Sequence, residues 1–337
     1  MRVGLALPHY DCSLAGQNPL SFEVLLHWAC TAEDLGFDSV WVSDHLTWDL
    51  GKYGGGNERY GVFEALTTLA AVARSTSHIR MGSLVLCEAL RPPGVLAKAV
   101  AAIDQLSGGR LDIGVGAGWY EPDYLAIGAT MGSPRQRVER LDEYISVLRG
   151  LLHRSEPFDF AGLHYSVAGA TNEPSPVQPK LPLFVGAKGD RMLAMIARHG
   201  VGWNTCWAIT PEAYKERASA LDAACERVDR DPAGIWRSLG LYSLCGENER
   251  DLQQRFDRMV ATSPAGVLDG MTLDRWRVGR LVGTVQQIAE YAEEWGSLGV
   301  ETIMCGVGAV PFQATTLDDA AILAYALGRS AVTAVEG

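Results

Sequence analysis

Short runs of apolar residues alternate along the chain with longer segments whose apolar positions recur at helical spacing. A strand that is buried on both faces is a continuous apolar run, whereas a helix that covers a sheet is apolar on one side only. In the first unit, Val3–Leu7 is a predicted strand. Ser21 then provides a favourable helix N-cap, and Leu25 and Ala29 follow at helical spacing. The pattern therefore predicts strands that are each followed by a helix.

Eight strands are predicted, at Val3–Leu7, Ser39–Val42, Ile79–Leu86, Leu111–Val115, Leu183–Gly186, Val201–Thr205, Ile235–Leu244 and Glu301–Cys305. After the helix that begins near Ser21, helices are predicted at Phe63–Ala73, Val95–Leu106, Arg135–His153, Arg191–Arg198, Pro211–Val228, Thr284–Leu298 and Asp318–Leu327. This repetition predicts an α/β fold, the (β/α)8 TIM barrel. The alternative is an open doubly wound sheet, which usually has fewer units and a glycine fingerprint after its first strand, where this chain has Pro8, His9 and Tyr10.

Two segments interrupt the alternation of strands and helices. Residues 155–180 are polar and rich in proline, and within them Phe158–Phe160 and His164–Val167 predict a hairpin. Residues 249–278 predict a helical insertion or lid between the seventh strand and the seventh helix. We expect residues 1–337 to form a single TIM-barrel domain that carries these two insertions.

Composition narrows the classes of partner. The chain is 47% hydrophobic with a formal net charge of −11, which argues against nucleic acid and anionic membranes because those surfaces require clustered lysine and arginine. The sequence shows neither an apolar stretch long enough to span a bilayer nor an N-terminal signal pattern, so a cytoplasmic location is expected. The seven cysteines are scattered without a C-x-x-C motif, so reduced thiols and no metal site are expected.

The residues that follow the strands of a barrel are the candidates for chemistry. Asp44 and His45 follow the second predicted strand. A histidine titrates near neutral pH and can give or take a proton, and Asp44 can orient it or contact the polar edge of a cofactor. The alternative interpretation makes Asp44 a capping residue and His45 a packed loop residue.

Three further strand ends carry unusual residues. Gly114–Gly118 lacks side chains on one face, which suits either a planar ligand or tight packing inside the barrel. Gly186–Arg191 joins a predicted helix N-terminus to Lys188 and Arg191, which suits either a phosphate or a solvated turn. Ser83–Glu88 is an apolar ridge that would support a flat ring or would simply be a buried strand.

Taken together, these segments resemble the luciferase-like monooxygenase superfamily, specifically its coenzyme F420-dependent branch. The residues that carry the resemblance are Leu35–His45, Phe63–Ala70, Leu96–Lys98, Leu106–Leu111, Gly114–Glu121, Pro174–Pro179, Val185–Gly189, Gly202–Asn204 and Val282–Thr284. They span nearly the whole chain, from the first strand to about Cys305, and their order and spacing are together more specific than any single motif.

The resemblance implies an oxidoreductase with coenzyme F420, or alternatively FMN, at the carboxyl-terminal mouth of the barrel. It implies a cis peptide bond at Leu84–Val85, or one residue earlier, against the ring, and a homodimer. It implies that His45 and Asp44 are catalytic, with His45 as the proton donor or acceptor for hydride transfer to or from a small organic substrate. The implied cofactor-binding residues are Asp44, Leu84, Val85, Cys87, Ala117, Gly118 and, through backbone amides that bind the phosphate, Gly186, Ala187, Lys188 and Gly189.

The sequence also departs from the family pattern. Relatives that oxidise sugar phosphates have a carboxylate where this chain has Trp119, so the resemblance does not extend to that chemistry. The expected substrate pocket is lined by Trp48, Glu88, Trp119 and Trp207, and the glycine-rich loop Trp48–Tyr60 is a candidate lid. Two alternative functions stay open: an FMN-dependent monooxygenase that uses O₂, and a non-catalytic flavin- or deazaflavin-binding protein.

Overall fold

A computed structural model of the chain describes residues 1–153 and 156–329. Residue 155, where the predicted proline-rich excursion begins, lies outside the described residues, as do residues 330–337 at the end of the predicted domain. The division into one domain with two insertions stays a prediction.

The described residues form twelve strands: β1 Arg2–Ala6, β2 Ser39–Val42, β3 Arg80–Ser83, β4 Leu86–Cys87, β5 Leu111–Gly116, β6 Phe158–Ala161, β7 Ser166–Ala170, β8 Leu183–Gly186, β9 Gly202–Trp207, β10 Arg237–Gly246, β11 Leu281–Thr284 and β12 Thr302–Gly306. They also form eleven α-helices: α1 Phe22–Asp34, α2 Ala65–Ser75, α3 Pro93–Ser107, α4 Glu121–Ala126, α5 Pro134–Leu152, α6 Asp190–His199, α7 Pro211–Glu226, α8 Glu249–Thr262, α9 Leu273–Arg277, α10 Val285–Ser297 and α11 Leu317–Ala326.

Eight of these strands close into a parallel barrel. They pair in the order β1, β2, β3, β5, β8, β9, β10 and β12, and β12 pairs with β1 to complete the circle. β4 continues the third barrel strand, because it pairs with β5 further along the same edge. The predicted TIM barrel is confirmed, and the open doubly wound sheet is wrong.

The barrel forms because its strands are apolar on both faces and its helices on one. Residues of β2, β5 and β12 are buried throughout, and the inward faces of α1, α3 and α5 join them in one large core. Capping residues define several helix starts. Ser133 and Gln136 form a capping box at α5, and Thr284 and Gln287 form another at α10.

The structure corrects the predicted elements in three places. The third predicted strand is divided into β3 and β4 by a turn at Leu84–Val85. Helix α4 and strand β11 were not predicted, because six and four residues are too few to show a clear period. The predicted hairpin is present as β6 and β7, with its second strand two residues later than expected, and residues 249–278 are helical in α8 and α9.

Within residues 1–153 and 156–329, no helix is both long enough and apolar enough to cross a membrane. The same part of the chain contains no cluster of three or more histidine, cysteine or acidic side chains arranged to hold a metal ion.

Candidate functional site

A cavity of about 550 Å³ opens at the carboxyl-terminal end of the barrel. Its wall is built from β4 and from the loops that follow β1, β2, β3, β5, β8, β9 and β12, together with the first turns of α4 and α5. Chemistry in TIM barrels sits at this end, because loops from many strands converge there. Of the predicted site residues, the following line the cavity: Asp44, His45, Trp48, Leu84, Val85, Cys87, Ala117, Gly118, Trp119, Gly186, Ala187, Lys188 and Trp207.

His45 is held by a carboxylate that the sequence did not single out. Its Nδ1 lies 2.7 Å from Oδ2 of Asp123, and the other oxygen of Asp123 accepts the Leu46 N–H at 2.8 Å. Asp123 is buried in the first turn of α4. Because a carboxylate can only accept, Nδ1 carries the proton, and Nε2 is the nitrogen available to a molecule in the cavity.

Asp44 does not orient His45, and that part of the expectation is wrong. Its carboxylate accepts hydrogen bonds from both terminal nitrogens of Arg91, at 2.8 and 2.9 Å, and from the backbone N–H of Cys87, at 2.8 Å. Burial by itself lowers the pKa of Arg91, but the carboxylates of Asp44 and Glu64 outweigh burial and raise that pKa above its usual value. Asp44 therefore fixes the loop after β4 to the loop after β2. Contact of Asp44 with a cofactor stays a prediction.

Aromatic rings surround the imidazole of His45. The ring centre of Trp48 is 4.6 Å from that of His45, and those of Tyr120 and Trp119 are 5.4 and 5.7 Å away. Tyr10 stacks on Trp48 at 4.8 Å and donates its hydroxyl hydrogen to Ser43 at 2.7 Å. This wall makes the surroundings of His45 apolar on several sides and leaves one polar ring nitrogen for chemistry.

The back of the cavity is formed at the turn between β3 and β4. The Leu84–Val85 peptide bond is cis, as the resemblance implied, and both residues line the cavity. A Cβ atom on Gly116 would lie 2.8 Å from Cγ2 of Val85, and one on Gly186 would lie 3.2 Å from it. These glycines make room for the Val85 side chain rather than for a ligand directly.

Tight packing also explains the first glycine of the strand end at 114–118. A Cβ atom on Gly114 would lie 2.4 Å from the ring of Phe184. Gly118 has a φ of 68°, and its Cβ would lie 2.2 Å from the hydroxyl of Tyr124. For these positions the packing interpretation holds, because protein atoms already occupy the space that the glycines leave.

In the turn after β8, one of the predicted phosphate-binding amides is already hydrogen-bonded within the protein. The N–H of Ala187 donates to the carbonyl of Asn204 at 2.8 Å, so its predicted role as a phosphate-binding amide is wrong. Gly189 is the N-cap of α6 and is not among the cavity-lining residues. Lys188 is exposed and lines the cavity. An anion at this turn would therefore meet the side chain of Lys188 and the N-terminus of α6.

Glu88 is not part of the pocket, which corrects the prediction. It is buried outside the cavity wall, and its carboxylate accepts from Arg140 at 3.0 Å and from the hydroxyl of Tyr165 at 3.0 Å. Burial raises the pKa of Glu88, and its two partners offset that increase only in part. Glu88 therefore links the loop after β4 to α5 and the β6–β7 hairpin.

Several cavity residues were missed by sequence reasoning, most clearly Lys52, Arg137 and Asn204. Nε of Arg137, Oδ1 of Asn204 and Nε1 of Trp48 are buried and have no hydrogen-bond partner among the described residues. Buried polar atoms are normally hydrogen-bonded, so these three are suited to a polar ligand. The positive charge of Lys52 and Arg137 in a chain of negative net charge was the one sequence feature that pointed to them. The sequence alone could not place either residue at the mouth of the cavity.

Residues 1–302 match the model of the family described as luciferase-like monooxygenase. An F420-dependent glucose-6-phosphate dehydrogenase of Amycolatopsis mediterranei is 33% identical over 216 residues, which are 61% of this chain and 62% of that protein. An F420-dependent hydroxymycolic acid dehydrogenase of Mycobacterium tuberculosis is 32% identical over 227 residues, 67% of this chain and 60% of that protein. The matched part thus spans about 60% of the length of these curated relatives.

A solved structure, an F420-dependent secondary alcohol dehydrogenase in complex with an F420-acetone adduct, superimposes with a TM-score of 0.74. The superposition covers 97% of this chain and 98% of that one at 18% sequence identity. At this identity the likeness concerns the fold.

Proposed function

The chain belongs to the luciferase-like monooxygenase family, and we propose that it is an F420-dependent oxidoreductase acting on a small organic substrate. The observation that carries the proposal is the His45–Asp123 pair, which lies in the wall of an otherwise largely aromatic cavity at the carboxyl-terminal end of the barrel. The names of relatives that are about a third identical in sequence give the cofactor.

The cavity fits a flat ring with an anionic tail. Leu84, Val85 and Cys87 line the cavity and would offer an apolar back to the ring, with Ala117 and Gly118 beside it. The tail phosphate would be held by the side chain of Lys188, by the N-terminus of α6 with Gly189, and by Arg137, whose Nε has no partner among the described residues. When bound, the deazaflavin supplies or accepts the hydride.

In this proposal the protein contributes position, proton transfer and exclusion of water. Asp123 keeps the Nδ1 proton of His45 in place, so Nε2 gives or takes the proton that accompanies hydride transfer. The rings of Trp48, Trp119 and Tyr120 cover His45 and keep its surroundings apolar. His45 is the catalytic residue, and Asp123 is a positioning residue.

The substrate that we propose is not a sugar phosphate. Asp44 and Asp123 are the acidic residues that line the cavity, and both carboxylates are engaged by protein hydrogen bonds. Among the described lining residues no uncommitted carboxylate remains to assist His45, and the resemblance implies a carboxylate at the position of Trp119 in relatives that oxidise sugar phosphates. A cytoplasmic location and a homodimer stay predictions.

Titration of the purified protein with F420 and with FMN tests the proposal. We expect F420 to bind more tightly than FMN. We expect His45→Ala to retain F420 binding while losing turnover on an accepted substrate, with exposed His27→Ala as the control. Binding of FMN alone, with O₂ consumed, would instead support the monooxygenase. F420 binding without turnover across a broad substrate panel would support a non-catalytic protein.

A further inference from the structure

A lysine stands on an aromatic ring at the mouth of the cavity. Lys52 lies in a short 3-10 turn, Gly51–Tyr53, in the loop after β2. Its Nζ is 3.7 Å from the ring centre of Trp119, which is a favourable cation–π distance. Trp119 is 43% exposed although it lines the cavity, so this Lys52–Trp119 shelf lies at the entrance.

The charge of Lys52 has no carboxylate partner within residues 1–153 and 156–329, where the groups that act on it are the ammonium group of Lys188 and the thiol of Cys206. The nearest acidic neighbour in the loop, Asp49, is taken up by the N–H of Gly51 and the hydroxyl of Tyr120. Burial and the ammonium group of Lys188 lower the pKa of Lys52. An anion bound at Lys52 would balance this charge, and the chain supplies none, because burial raises the pKa of the Cys206 thiol to about 11 and keeps it neutral.

The Lys52–Trp119 shelf contacts His45, the proposed proton donor, through the ring of Trp119. The rings of Trp119 and His45 are nearly perpendicular, with centres 5.7 Å apart, and Nζ of Lys52 contacts the Trp119 ring. The ring of Trp48 stands nearly perpendicular to that of Trp119, at 5.9 Å and 87°. Two perpendicular aromatic rings suit a planar ligand, because such a ligand can stack on one ring and meet the edge of the other.

The shelf is built from other loops than the turn that suits the cofactor phosphate, although Lys188 of that turn acts on Lys52 electrostatically. That turn follows β8 at the N-terminus of α6, whereas Lys52 belongs to the loop after β2 and Trp119 to the loop after β5. Two anion-binding points around one cavity are expected if cofactor and substrate each carry a negative group.

We infer that Lys52 is a specificity-determining residue that binds the anionic group of a flat, conjugated substrate whose reacting carbon lies at His45. The inference rests on the proposed function for the reaction, but the recognition of an anionic planar ligand can be measured without turnover. A carboxylate and a phosphate share the required chemistry, and the experiment separates them.

The test uses three small probes: trans-cinnamate, phenyl phosphate and the neutral analogue trans-cinnamamide. Calorimetry and tryptophan fluorescence give their dissociation constants with the F420-loaded protein and with the protein alone. We expect one of the two anions to bind about tenfold more tightly than cinnamamide, as a charge-assisted contact would provide. Lys52→Gln should remove that preference and Lys52→Arg should keep it.

Lys215→Gln is the matched control, because Lys215 is an exposed lysine on α7 away from the cavity. It should leave all three dissociation constants unchanged. Equal binding of anions and amide by the unaltered protein, failure of every probe to bind, or the same loss in Lys215→Gln would overturn the inference. So would a Lys52→Gln variant that loses F420 affinity and keeps the probe preference. Absence of F420 binding in the unaltered protein would count against the proposed function alone, because the probes are also measured without cofactor.

Discussion

Replacing Asp123 by asparagine tests whether the carboxylate positions the proton of His45. Asparagine keeps the size of the side chain, and its amide oxygen can still accept the Leu46 N–H that now lies 2.8 Å from Oδ1. The 2.7 Å contact with Nδ1 of His45 loses its charge, and an amide NH₂ turned toward Nδ1 would favour the tautomer with the proton on Nε2. A hydrogen bond to a charged group contributes about 1.5–3 kcal/mol.

Loss of that contribution in the transition state predicts a fall in turnover of roughly 10- to 150-fold. The assay follows the absorbance of oxidised F420 during turnover over a range of pH, and a separate titration measures F420 affinity. We expect kcat to fall with little change in F420 affinity and with an altered pH profile, because the perturbation acts on the state of one imidazole. Asp123→Glu should restore part of the activity, since it returns the charge.

A merely structural role for Asp123 would give a different result. It would lower the thermal unfolding midpoint and reduce the fraction of active protein, but the pH profile of the remaining activity would be unchanged. Turnover in Asp123→Asn equal to that of the unaltered protein would refute the assignment of Asp123 as the positioning residue and weaken that of His45.

Three further predictions concern burial and packing. Asp44→Ala should lower the free energy of unfolding by about 3 kcal/mol, measured by urea denaturation, because it removes a buried carboxylate and leaves the half-buried guanidinium of Arg91 with one carboxylate fewer. A loss below about 1 kcal/mol would contradict this view. Gly116→Ala would place a methyl group 2.8 Å from Val85 and should weaken F420 binding about tenfold. The control Gly296→Ala, with nothing within 4 Å of the added atom, should leave the affinity for F420 unchanged. Equal affinities of the two variants would contradict the prediction. Burial lowers the pKa of His9 to about 3. As the pH drops below about 6.5, the usual histidine pKa, the unfolded chain binds a proton that the folded protein does not, so the free energy of unfolding decreases. His9→Phe should remove about 2 kcal/mol of that decrease between pH 7 and pH 5, and identical pH dependence of the two proteins would refute the prediction.

The sequence by itself determined the barrel and the end of it at which the cavity opens. Buried parallel strands and one-sided helices differ in their apolar period, and that difference is local, so it can be seen without knowledge of the fold. Given the barrel, the strand ends placed His45, Val85 and Lys188 around one cavity, and the structure confirms that they line it.

Only the tertiary structure decided which groups are paired with which. His45 lies next to Asp44 in sequence but bonds to Asp123, 78 positions away, because the short helix α4 turns its first residues toward the loop after β2. Glu88 and the Ala187 N–H are taken up by partners on other elements, and Lys52 reaches Trp119 across the mouth. Hydrogen bonds and ring contacts depend on distances of a few ångström between loops remote in the chain, and the period of apolar residues carries no information about those distances.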